Sequence, residues 1–538
     1  MRRVQACYLI YKQFEPNHPS IHAVLLLGMP VLLARQLPVL QQIGAVASHW
    51  GLILALTALY RRSPFHPLAK FPGPTLGKLS KIYVAYLTAR GDLYRVIESW
   101  HEQYGDVIRI GSCMFGWGLI QLWSSFCLAA GPNELTFYYD TRLNPEGDFQ
   151  LDGIRDFSVH AARRKPWARA MSSAALKGYE PILQMKTLEL MEELSKRHRE
   201  KIDISHWTNL FSFDVLGHVA FDRELGLVKS GEDSDGLIHI VEGGVYAGAL
   251  ISHVLWMVPF FKYIPAKGLR AVQLLAASYV QERTSKGSKS KDLSRFFTED
   301  EGAAQSGATM GEITADGMLA IIAGSDTTST MLTNLWYFML RHPEYAERLR
   351  KEIDLTFPPG EDPLDFSRHA DMPYLNACIN ETLRVLPPAP GGLQRTVKRG
   401  SGGATICSYF VPECTQVSVP IFSVHRDSRE FSPLPDDFWP DRWLTQDSYV
   451  LPNGDVIGKE QVITNRGAFI PFSFGPQNCA GRALAMVEMR AVACVMMHKF
   501  ELRKPKEYDL NQWEKDMWDA LIMLRGKLPV ILEQRQGH

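Results

Sequence analysis

The sequence predicts a mainly α-helical body with small β-sheets attached, an α+β class, behind an N-terminal membrane anchor. Three observations predict it. Helical periodicity dominates from about Leu93 to Asp354, as in Tyr179 to Arg199. Strand-like runs are short and mostly late: Val107 to Ile110, Thr405 to Phe410, Gln416 to Val419, and a further pair near Ile522 to Leu532. Between Ile21 and Tyr60 the only full charge is Arg35. Composition agrees: 46% hydrophobic and 22% charged residues exclude a disordered, collagenous or disulfide-framework chain. Lys+Arg and Asp+Glu both number 58, so no global basic field draws in nucleic acid. The 8 cysteines include no Cys-x-x-Cys pair, which argues against a structural zinc site.

The first apolar stretch, Ile21 to Ala34, is too short to cross the roughly 30 Å hydrocarbon core as a helix. The second, Leu37 to Tyr60, is long enough, although Gln41, Gln42, Ser48 and His49 weaken it. Arg61, Arg62, Lys70 and Lys78 follow, and the positive-inside rule then places the rest of the chain in the cytosol. A single span and a tight hairpin both fit. A cleaved signal peptide fits less well, because the apolar region is long and no small-residue cleavage site stands out. Next comes Ser63-Pro-Phe-His-Pro-Leu-Ala-Lys-Phe-Pro-Gly-Pro74, whose prolines fix φ and remove donors, so it reads as a stiff hinge. Residues 1–60 are thus an anchor, 61–80 a hinge and 81–538 one domain. Within that domain Gly111 to Ala130 is anomalous. It carries no charge and interrupts Val107 to Ile110 and Gly131 to Leu135. It reads as an insertion loop or as a translated non-coding stretch, since its removal leaves one continuous strand. A second membrane span is rejected because it would separate Leu79 to Ile110 from all later residues.

The most informative run is Pro471-Phe-Ser-Phe-Gly-Pro-Gln-Asn-Cys-Ala-Gly-Arg482, followed by a helical pattern from Ala483 to Arg490. One cysteine, Cys479, lies between Gly475 and Gly481. A thiolate there is stabilised by the free N–H groups of a helix start, and a metal would keep it deprotonated. The glycines allow close backbone approach to a large planar ligand, and Phe472 can shield the sulfur from water. A buried inert cysteine at a loop–helix junction is the plainer alternative. Ala323-Gly-Ser-Asp-Thr-Thr328 sits inside an apolar run from Ile313 to Leu340 that reads as one helix of roughly 40 Å. Mid-helix Gly and Thr are poor helix formers, and threonine hydroxyls can bond back to the previous turn and open a groove. Glu381 and Arg384 share a helix face at i, i+3, a spacing more often found in surface pairs.

Together these runs resemble the cytochrome P-450 monooxygenases. Phe472, Gly475, Cys479 and Gly481 match the family's haem-binding loop. Gln477 stands where the family has a propionate-pairing arginine. Ala323 to Thr328 matches the oxygen-binding pattern, and Glu381-Thr-Leu-Arg384 matches Glu-x-x-Arg. Phe438-Trp-Pro-Asp-Arg-Trp443 is similar to the loop that gives that motif its second arginine, here Arg442. The order and spacing of the set, over roughly Phe71 to Leu532, carry the resemblance.

The resemblance implies a P-450 fold and makes 81–538 a haem-thiolate monooxygenase domain with haem b. Cys479 would be the axial iron ligand. Asp326 and Thr327 would manage protons at the oxygen site. His160, Arg164 and Arg395 would meet the propionates, with Trp167 a weaker candidate. Glu381, Arg384 and Arg442 would form a buried brace. The expected reaction inserts one atom of O2 into an apolar substrate, such as a terpenoid or other secondary metabolite, because the arginines and hinge resemble fungal microsomal members. No Gly-x-Gly-x-x-Gly fingerprint follows a strand, so electrons are expected from NADPH through a separate cytochrome reductase. The expected location is the endoplasmic reticulum membrane with the catalytic domain cytosolic. The substrate pocket would draw on the segment before Arg164, on Leu225 to Pro265, on Met318 to Ala323 and on Ala389 to Leu393. His253 to Tyr263, with Trp256, Phe260 and Phe261, is apolar enough for a bilayer-facing access mouth or for plain helix core. The rival readings are a non-catalytic haem-binding protein and a product made inactive by residues 111–130.

Overall fold

The computed structural model describes residues 23–111, 114–117, 133–135, 148–154, 156–253, 267–286, 292–298 and 308–535. The expected access mouth beyond His253 and most of Gly111 to Ala130 lie outside these residues.

Helix α1 (Val39–Arg62) is the one helix among the described residues that is long and apolar enough to cross a membrane, with a mean hydropathy of 1.5 over its best window. This fits membrane anchoring. The preceding apolar segment folds back on it. Trp50 Nε1 donates to the Leu26 carbonyl at 2.8 Å, and His49 Nε2 lies 3.3 Å from the Leu25 carbonyl.

The proline-rich stretch is docked rather than free. It packs against β1 (Val107–Gly111), whose Arg109 is buried beneath it. The Arg109 guanidinium donates to the carbonyls of Arg61 at 3.2 Å and Gly111 at 3.1 Å, and its N–H donates to the Pro72 carbonyl at 2.7 Å. Gly73 has φ +146, and a Cβ there would fall 2.2 Å from the Arg109 carbonyl oxygen. Only glycine allows this approach.

The anomalous segment supplies a strand of its own, β2 (Met114–Trp117), antiparallel to β1. In the intact chain, therefore, Val107–Gly111 and Asn133–Leu135 are not one strand. Asn133–Leu135, as β3, pairs instead with β4 (Gln394–Val397) at the opposite edge, and β2 runs parallel to β5 (Gln416–Ser418). The sheet order is β1-β2-β5-β4-β3. Thr405 to Phe410, read as one strand, is a hairpin of Ala404–Ile406 and Tyr409–Val411. The expected pair near the C-terminus exists as Ile522–Leu524 and Pro529–Gln534, but the two strands belong to different sheets.

The body is helical. Helix α2 (Phe157–Ala170) is capped by the Asp156 carboxylate. Helix α3 (Ile204–Phe221) is buried almost all round. It packs along α5 (Met310–Arg341), and α4 (Leu237–His253) lies nearby. Helix α5 opens with a reciprocal capping box between Thr309 and Glu312. It stays uninterrupted through Gly324 and the threonines, so the expected opening of the helix does not occur. Helix α6 (Pro373–Val385) and α7 (Arg482–Lys499) complete the frame, and α7 packs on α5.

Candidate haem-thiolate site

Cys479 lies in the turn immediately before α7. Gly475 takes φ +79, a left-handed conformation suited to glycine. The turn is closed by the Asn478 N–H to the Gly475 carbonyl at 3.1 Å and the Cys479 N–H to the Phe472 carbonyl at 2.9 Å. Cys479 is exposed and lines a cavity of about 660 Å³ together with Arg164, Phe472, Asn478 and Arg482, none of the lining residues belonging to α5. The surrounding protein pushes the thiol pKa up. The backbone N–H groups of Gly481 and Arg482 and the charges of Arg164 and Arg482 oppose that rise. A Cβ built at Gly481 would meet no atom within 4 Å, so the loop leaves open space at that glycine.

Three basic groups converge from two elements. His160 and Arg164 lie one turn apart on α2, and Arg395 comes from β4. Burial first, then the charges of Arg164 and Arg395, push His160 down to about 4. A neutral imidazole can still donate one hydrogen bond. Arg164 donates to the Asn478 carbonyl at 2.8 Å and to Asn478 Oδ1 at 3.1 Å, tying α2 to the cysteine loop beside Gln477. Trp167 does not join this cluster. It is buried, and its Nε1 is 3.2 Å from Asp316 Oδ2, which also pairs with Arg163 at 2.8 Å.

On α5, Ala323 is exposed and Thr327 half-buried, while Ser325, Asp326 and Thr328 are buried. One face of a core helix therefore borders open space. Thr327 Oγ1 bonds back to the Ala323 carbonyl at 2.8 Å, as expected of a mid-helix threonine. Asp326 points into protein. Neither of its carboxylate oxygens has a hydrogen-bond partner among the described residues. Burial raises its pKa to about 7, with Arg525 opposing and Glu242 adding to the rise.

Glu381, Arg384 and Arg442 form a brace, and none of the three side chains is exposed. The surface pairing that the i, i+3 spacing usually signals is not what forms. Arg384 grips Glu381 through Nε at 2.9 Å and Nη2 at 2.8 Å, and Arg442 Nε adds 3.0 Å. Two donors were not foreseen: the Trp439 N–H at 2.9 Å and Trp443 Nε1 at 2.8 Å. Trp443 was visible in the Phe438 to Trp443 run but had no assigned role. Burial raises the Glu381 pKa, but Arg384 and Arg442 overcome this and hold it at about 2. Arg525, also unforeseen, has no sequence signal, because it reaches α5 from near the far end of the chain.

A flat ligand with two carboxylates and a metal at its centre would find here a thiol, open space over glycine and a cationic edge. Comparisons with known proteins agree. The family model described as Cytochrome P450 matches residues 153–531. Cytochrome P450 monooxygenase phqL of Penicillium fellutanum is 29% identical over 545 residues, covering 99% of this chain and 89% of its own. Cytochrome P450 monooxygenase FCK2 of Fusarium pseudograminearum is 30% identical over 492 residues, covering 90% and 85%. Tryprostatin B 6-hydroxylase of Aspergillus fumigatus is 26% identical over 559 residues, covering 98% and 94%.

Proposed function

Because this chain belongs to the cytochrome P450 family, whose members are haem-dependent monooxygenases using O2, a redox partner and an organic substrate, we propose that Cys479 is its axial haem ligand. The supporting observation is a cysteine that lines a cavity just before a helix start, with Arg164 bonded to the same loop. His160, Arg164 and Arg395 would hold the two propionates. Bound haem supplies the activation of O2.

The chain's own residues position and protect that chemistry. Asp326 holds a proton near neutrality, and the Thr327 hydroxyl borders the open face where oxygen and substrate meet. Glu381, Arg384 and Arg442 hold the chain from His425 to Trp443 in place. The substrate is proposed to be an apolar secondary metabolite such as a terpenoid, in keeping with the lipid anchor. Electrons are proposed to come from NADPH through a separate cytochrome reductase docking on the cysteine side. The basic run after α1 supports a cytosolic catalytic domain on the endoplasmic reticulum.

Membranes carrying the full chain and a fungal NADPH reductase, screened against apolar metabolites, test the reading. Substrate-dependent NADPH consumption with an oxygenated product is expected, and both should vanish in Cys479→Ser. Product formation that survives this substitution contradicts the ligand assignment.

A further inference from the structure

The helix Ser173–Ser195 is apolar on two sides. Its inner side, with Tyr179, Leu183, Leu190 and Leu194, is buried, and the helix packs against α3 and α7. Its outer side carries Ala174, Gly178, Pro181, Met185 and Leu188, all exposed, Met185 by 44% and Leu188 by 52%. These five recur at alternating intervals of four and three residues, the spacing of a seam between two packed helices. Two of them weaken the helix that holds them. Pro181 lies inside it and removes one N–H from its ladder. Gly178 is a poor helix former, and a Cβ built there would meet no described atom within 4 Å. Packing within the chain therefore gives no reason for glycine at this position. None of the five residues lines the cavity at Cys479.

The stripe complements itself. Turned end for end about Leu183, the helix sets Gly178 opposite Leu188, Pro181 opposite Met185 and Ala174 opposite Glu192. The largest side chain of the stripe then meets its smallest residue, as interdigitating helices require. Exposed Lys177 near one end comes to the side of exposed Glu192 near the other, and the two helix dipoles oppose. A parallel pairing would instead set Lys177 against Lys177 and Glu192 against Glu192. We propose that this face docks on the same face of a second copy of the chain, as an antiparallel helix pair about a two-fold axis. The stripe is roughly 21 Å long at 1.5 Å per residue, so by itself it covers less than the roughly 800 Å² per partner of a stable interface in solution. Anchoring both copies in one membrane through α1 raises their effective concentration and lets a contact of this size suffice.

The test uses full-length chains in phosphatidylcholine vesicles. Chains carrying Gly178→Cys and chains carrying Leu188→Cys, each with its own tag, are mixed and oxidised. A disulfide between the two kinds of chain is expected. Gly178→Cys alone should not cross-link, because its two copies would stand ten residues, roughly 15 Å, apart along the pair. Energy transfer between donor- and acceptor-labelled chains should show association weakened at least about tenfold in Leu188→Glu, with the reduced carbon monoxide spectrum unchanged. Cross-linking of Gly178→Cys to itself but not to Leu188→Cys overturns the proposal. So does an absence of association in the parent. Association through α1 alone would leave energy transfer unchanged in Leu188→Glu, and that result overturns it equally. If Leu188→Glu loses its haem, Met185→Glu takes its place under the same criteria.

Discussion

Two carboxyls on neighbouring core helices, Glu381 and Asp326, are both shut off from solvent, yet their pKa values lie on opposite sides of the ordinary range, at about 2 and about 7. Burial acts on both in the same sense. Donors make the difference. Glu381 accepts from two arginines, a backbone N–H and an indole. The Asp326 carboxylate accepts no hydrogen bond among the described residues and has one cation at 3.8 Å. A saturated buried anion braces a fold, whereas an unsatisfied one is poised to exchange a proton.

The contrast can be broken most severely at the brace. Glu381→Gln leaves two buried guanidiniums facing a neutral amide and should cost on the order of 3–5 kcal/mol. Little haem-containing protein should be recovered, and normal haem occupancy in the purified variant would contradict the brace. Asp326→Asn should leave folding intact and reduce coupled product formation by about 10²-fold or more. Melting curves and product per NADPH read the two effects separately.

Acid sharpens the comparison. The depressed pKa of Glu381 contributes on the order of 3 kcal/mol of stability above its ordinary pKa, lost as pH falls from about 4.5 through about 2. Asp326 has the opposite sign. Its raised pKa makes the charged form the costly one, so stability should decline as pH rises through about 7. Denaturation midpoints against pH should show both limbs in the parent, while Asp326→Asn should lose only the neutral one. Trp443→Phe removes one donor and should cost roughly 1.5–3 kcal/mol, raising the pH at which haem is lost. The smallest effect on either carboxyl is expected from removing residues 1–60, which should release the protein from membranes with its haem spectrum intact.

What the sequence revealed follows the range of the interactions. Gly475, Cys479 and Gly481 lie within one turn of chain, and Glu381 and Arg384 one helical turn apart, so local spacing exposes them. Arg442 emerged only through resemblance, because its partner Glu381 is 61 residues away. Arg525 stands 199 residues from Asp326 and belongs to no local pattern, so nothing in the chain announces it. Trp167 was the weaker candidate drawn from the resemblance, and its partner Asp316, 149 residues away, is not legible in local spacing. The apolar segment after Gly111 was legible as an oddity. Its strand-forming capacity was not, since sheet position depends on partners just over 300 residues later.

The most direct measurement is the difference spectrum of the reduced protein with carbon monoxide, recorded for the full chain and for Cys479→Ser. A band at the thiolate-ligated position in the first and its absence in the second are predicted. The same band in both, or a nitrogen-ligated spectrum in the parent, would contradict the assignment of the sulfur to the metal.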